Sequence, residues 1–131
     1  MPPGSQAPAS PRVAVVVTTL FDDVGPLLKL LTNQTLRPVR IVVVAGSRIV
    51  ASRLAERFRG NVPSIPLEVI YVRPDLREHV GVRVAKAINQ ALRTLDLPAF
   101  DYLLKVDADV LMKTDYLEKC VSLGADLVGL G

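Results

Sequence analysis

The chain has 131 residues, 50% of them hydrophobic, with 16 basic and 13 acidic side chains and a formal net charge of +3. That is one domain's worth of chain with enough apolar residues for a core. The mild basic excess suits an anionic small ligand, whereas three Tyr, three Phe and no Trp are too few and too scattered for a nucleic-acid surface.

Cys120 is the only cysteine and His79 the only histidine. An internal disulfide and a cysteine zinc cluster are excluded, so any metal must be held by oxygen. Residues 1–11, rich in Pro, Ser, Ala and Gly, predict a flexible tail with no leader pattern. Apolar runs of about five residues fall far short of the ~20 that cross a bilayer. The expected location is the cytoplasm, including the cytoplasmic face of a membrane.

The elements follow in order. "RVAVVVTTL", Arg12 to Leu20, is a β-branched run suited to a strand covered on both faces. Asp22 or Asp23 then caps a helix that holds Pro26 in its first turn and carries Leu27, Leu28, Leu30 and Leu31. "QTLRP" ends it. "VRIVVVAG", Val39 to Gly46, is a second strand, and Ser47 caps a helix with Ala51, Leu54, Ala55 and Phe58 on one face. "GNVPSIP" reads as a loop and Leu67 to Val72 as a third strand.

A polar loop leads to a helix over Val80 to Thr94, with Val84, Ile88, Ala91, Leu92 and Leu95 as its apolar stripe. "YLLKV" is a fourth strand, running into Asp107 and Asp109. Asp115 with Glu118 marks another helix start, Gly124 a stop, and "ADLVGLG" a further strand. Strict alternation of strands and helices predicts a three-layer αβα sandwich around a mostly parallel sheet.

Ligands in such sheets bind beyond the carboxyl ends of the strands. Thr18 and Thr19, Ala45 to Ser47, Arg73, and the pair Asp107 and Asp109 all fall there. If the extended conformation continues, Asp107 and Asp109 point the same way. Two close carboxylates repel unless a cation or donors relieve them. Mg²⁺ or Mn²⁺ is a natural partner, since such ions take one or two carboxylates plus substrate phosphates. No GxGxxG or GxxxxGK[ST] pattern is present, which argues against a dinucleotide enzyme and a P-loop ATPase.

From Val13 to Gly131 the chain resembles the N-terminal half of a family-2 glycosyltransferase, with the Rossmann-like GT-A nucleotide-sugar-binding fold. The resemblance rests on "VAVVVTTLFDD", "LLKLLTNQTLRPVRIVVVAGS", "RVAKAINQAL" and "YLLKVDADV", in that order. It implies a nucleoside-diphosphate-sugar donor and transfer, with inversion, to an acceptor hydroxyl on a glycan, lipid or protein. By that resemblance Thr18 and Thr19 border the nucleobase and ribose, Asp22 covers the acidic position of the first turn, and Ala45 stands at the base-reading position. Arg83 lies near the base or diphosphate, and Asn89 matches a helix Asn that is either structural or ligand-facing. Asp107 contacts ribose or metal-bound water, and Asp109 ligates Mn²⁺ or Mg²⁺.

There are departures. Ala45 replaces the family's base-reading Asp, and Thr18, Leu20 and Phe21 replace the usual turn residues after the first strand. The general base of an inverting transferase is expected beyond Gly131, so residues 12–131 read as one truncated nucleotide-sugar-binding half. Two rival readings stand beside it. One is a non-catalytic nucleotide-binding or interaction module, as a monomer or homo-oligomer. The other is a receiver domain, which lacks an Asp at the end of its third strand.

Overall fold

The computed structural model describes residues 10–62, 64–123 and 127–130. Residues 1–9 of the expected tail and the expected helix stop at Gly124 lie outside the described residues. The chain runs β1 (Val13–Thr19), α1 (Gly25–Thr32), β2 (Arg40–Ala45), α2 (Arg48–Phe58), β3 (Asn61–Val62), β4 (Ile65–Tyr71), α3 (Val80–Arg93), β5 (Tyr102–Asp107), α4 (Tyr116–Ser122) and β6 (Leu127–Leu130).

Among the described residues the strands form one six-stranded sheet in the order β3-β4-β2-β1-β5-β6. β4, β2, β1, β5 and β6 pair in parallel, and β3 pairs antiparallel with β4. This is the expected αβα architecture with a mostly parallel sheet. β3 is an addition, since the segment reads as a loop in sequence. Arg59 adopts a left-handed φ of 49° and Gly60 a φ of 91°, and this reversal sends the chain straight back onto β4.

Strand alternation divides the core in two. Val13, Val15, Val17, Ile41 and Val43 pack with Leu27, Leu28 and Leu31 of α1, Leu54 of α2 and Leu117 of α4. Ala14, Val16, Val42 and Val44 pack on the opposite face with Ala91 of α3 and Leu95 just after it. The β1 and β2 residues among these are at most 3% exposed, which is what β-branched runs covered on both sides require.

One capping expectation holds and two are corrected. Ser47 caps α2, its Oγ accepting from the Val50 N–H at 3.4 Å. Val24, not Asp22 or Asp23, is the N-cap of α1 and makes no side-chain cap; Asp23, one residue before it, accepts from the Gly25 N–H through Oδ1 at 2.9 Å. α4 starts where Asp115 predicts but makes no capping box. Asp115 pairs instead with Lys119 at 3.2 Å, and Glu118 accepts from Thr35 Oγ1 at 3.2 Å.

β1 is the switch point. The chain leaves it toward β2 and β4 on one side, then crosses back over α3 to β5 on the other. Such a reversal opens a crevice at the carboxyl ends of the two strands that flank it.

Candidate functional site

The crevice is present. A cleft of about 330 Å³ lies beyond the carboxyl ends of β1, β2, β4 and β5, with the first half of α3 as its side wall. That volume is in the range of small-molecule sites. Its floor is built by register. Thr18 of β1 sits opposite Asp107 of β5, and Thr18 Oγ1 donates to Asp107 Oδ1 at 3.0 Å.

β5 ends at Asp107, so the extended geometry expected for the acidic pair does not continue. Ala108 and Asp109 form a turn, closed by the Val110 N–H donating to the Asp107 carbonyl at 3.2 Å. The turn achieves what alternation was expected to do: both carboxylates line the same cleft, Asp107 half-buried and Asp109 exposed.

Two walls differ in charge. On the side of β1 and β5 stand Asp22, Asp107 and Asp109. On the side of β4 and α3 stand Arg73 and Arg83, with Lys86 paired to Glu78 at 2.6 Å. Asp75, also on that side, is chelated by Arg77 at 3.1 and 3.2 Å. Arg77 holds the Asp75 carboxyl below the usual carboxylate range. Arg83 Nε is buried and has no hydrogen-bond partner, an unsatisfied N–H on a residue that lines the cleft.

The remaining wall is apolar. Val80, Val84 and Ala87 of α3 recur at helical spacing on the cleft side. Leu20, Gly46 and Pro74 meet at the mouth: a Cβ on Gly46 would lie 2.7 Å from Leu20 Cδ2 and 3.5 Å from Pro74 Cγ. Glycine is therefore what lets the loops after β1, β2 and β4 close up here.

Of the residues singled out in sequence, Thr18, Thr19, Asp22, Arg83, Asp107 and Asp109 line the cleft. Two do not. Ala45 is 0% exposed, because its side chain alternates away from Val44 and points to the sheet face opposite α3. The residues of β2 and its end that reach the cleft are Val44 and Gly46. Asn89 is exposed on α3. Nine residues from Val80 at about 100° each, it faces away from the stripe that forms the wall.

The donor set suits a hard divalent cation that takes only part of its shell from protein. Asp107 and Asp109 are oxygen ligands on one rim. Among the described residues no three of His, Cys, Asp and Glu gather into a metal cage. No helix among them is long and apolar enough to cross a membrane. No protein-family model matches the chain, nor does any curated protein sequence.

Proposed function

We propose that the cleft binds a nucleoside-diphosphate-sugar together with a divalent cation, and that the chain is the donor-binding half of a glycosyltransferase of the family-2 type. The observation that carries this reading is the two-signed cleft. Asp107 and Asp109 line one side of the cleft, and Arg83, whose buried Nε has no hydrogen-bond partner, lines the other. A ligand that offers a cation to one wall and phosphate oxygens to the other answers both needs.

Each residue then has a task. Asp107 and Asp109 hold Mn²⁺ or Mg²⁺. Thr18 keeps Asp107 turned toward the cleft through its hydroxyl. Arg83 and Arg73 take the phosphate oxygens, with Arg83 entering at low desolvation cost because its Nε is already out of water. Leu20, Gly46, Val72 and Pro74 give the cleft an apolar surface for a nucleobase to lie against. With Ala45 buried, the base is not read by a side chain at the end of β2.

The bound cation supplies positive charge to the diphosphate as it leaves the sugar. The protein contributes orientation: the same carboxylates and arginines fix the diphosphate, so the anomeric carbon is held at a defined place on the rim. Deprotonation of the acceptor hydroxyl needs a general base. A non-catalytic binding module is the second reading; Asp75, Glu78 and Asp107 in the cleft are each already engaged by a cationic side chain.

Calorimetric titration with UDP-glucose and GDP-mannose, with Mn²⁺ and with a chelator, tests the proposal. Saturable binding that needs Mn²⁺ and is lost in Asp109→Ala is expected. Binding that ignores the chelator, or survives that substitution, rules out the assigned cation. Hydrolysis of the donor in the same samples separates a transferase half from a silent binder.

A further inference from the structure

Lys105 stands one pleat before Asp107, so both side chains leave β5 on the same sheet face, the one α3 packs on. Sequence places a cation where burial discourages one. The Lys105 side chain is 16% exposed, and lysines that buried are normally paired. Its ammonium donates to Asp107 Oδ1, the oxygen that also accepts from Thr18. Asp107 lines the cleft and Lys105 does not, so the lysine backs the carboxylate from inside the sheet.

We infer that Lys105 is a built-in counter-ion that keeps a lone divalent cation out of the cleft and makes cation and anionic ligand enter together. The inference rests on the cation reading given above. With Asp107 matched by Lys105, the Asp107–Asp109 rim presents one net negative charge instead of two. One such charge holds a hydrated divalent ion weakly. A pyrophosphate group adds its own oxygens to the ion's shell and its own charge to the rim, and the pair then binds as a unit. Coupling of this kind is reciprocal: the ion must raise pyrophosphate affinity by the factor that pyrophosphate raises the ion's.

The probes are Mn²⁺ and radiolabelled inorganic pyrophosphate. Uptake of Mn²⁺ alone is read from the free-ion paramagnetic resonance signal, and uptake of pyrophosphate by equilibrium dialysis with and without Mn²⁺. The wild type should take up pyrophosphate in a Mn²⁺-dependent way while showing no saturable uptake of Mn²⁺ alone at the same concentrations. Lys105→Met should bind Mn²⁺ alone at least about tenfold more tightly than the wild type, as expected when a unit positive charge at contact distance is removed. Adding Asp109→Ala should cancel the gain. Lys105→Gln serves if the methionine variant fails to fold by circular dichroism.

Wild-type protein that takes up Mn²⁺ alone as tightly as Lys105→Met overturns the inference, as does a variant with no gain. A gain without any Mn²⁺-dependent pyrophosphate uptake sinks the donor reading and leaves Lys105 as the group that excludes the cation. If neither variant folds, the wild type decides: saturable uptake of Mn²⁺ alone overturns the inference, and uptake only with pyrophosphate supports it.

Discussion

Gln34 holds Leu117 across the interface between α1 and α4. Its Oε1 accepts from the Leu117 N–H at 3.1 Å, while its Nε2 donates to the Lys113 carbonyl at 2.7 Å. Gln34 is 4% exposed, the one buried polar or charged side chain among the described residues. The neighbouring Thr35 N–H donates to the Thr114 carbonyl at 2.7 Å. Two residues after α1 thus anchor the segment that follows the Asp107–Asp109 turn.

Gln34→Leu should therefore destabilise the protein well beyond a surface change. It keeps the volume but strands the buried Leu117 N–H, at about 1–3 kcal/mol, while the Lys113 carbonyl still accepts from the Tyr116 N–H. Denaturant unfolding should show the loss in the midpoint. A change below about 0.5 kcal/mol, the range of ordinary surface substitutions, would mean that water replaces the amide.

Arg83→Met should move stability and binding in opposite directions. The buried Nε without a partner is a cost to the free protein, so its removal leaves the melting temperature unchanged or raised. Anion affinity should fall by roughly 10- to 100-fold, the worth of about 1.5–3 kcal/mol for a hydrogen bond to a charged group. A parallel loss of both would show that the guanidinium serves the fold.

Gly46→Ala should act on the ligand and spare the fold. The new Cβ would approach Leu20 Cδ2 at 2.7 Å, and that methyl ends a flexible side chain that is 38% exposed. Leu20 can swing aside at a cost of about 1 kcal/mol or less. The displaced Leu20 side chain alters the apolar surface of the cleft, so nucleotide affinity drops more than pyrophosphate affinity. Equal losses for the two ligands would place the nucleobase elsewhere.

Tyr116 gives a pH signature. Burial, and secondarily hydrogen bonding with Cys120 one turn on, push its hydroxyl up to about 12 from the ordinary 10.0. The folded protein thus keeps this proton at pH values where the unfolded chain has lost it. The stability it contributes is intact below pH 10 and is lost as pH rises through about 12. Unfolding midpoints measured on either side of that window should fall less in Tyr116→Phe than in the wild type. Identical slopes would remove Tyr116 as the cause.

Much of this was readable from residue order. β-branched runs give strands covered on both faces, and the acidic pair at the end of β5 sits on the rim because parallel strands all end on one side. What stayed hidden depended on phase and partners. Ala45 and Val44 look alike in sequence, yet a period of two sends only Val44 to the cleft. Asn89 lies within the correct helix but on its far side. Gln34 reads as a helix terminator, because nothing local reveals that its amide meets Lys113 and Leu117, 79 and 83 residues further on. β3 is two residues long, below what any pattern can register, and follows from a backbone reversal at Arg59 and Gly60.

Thr18 and Asp107 touch although they lie 89 residues apart in sequence. The Arg83-bearing helix and the first three parallel strands precede the Asp107–Asp109 turn in the chain. Up to that point the chain holds Arg73 and Arg83 of one wall but only Asp22 of the acidic wall opposite. Contacts this distant in sequence form late and slowly. Ligand capture at the proposed site would consequently report that the whole crossover has closed, and would serve as an assay of folding to completion.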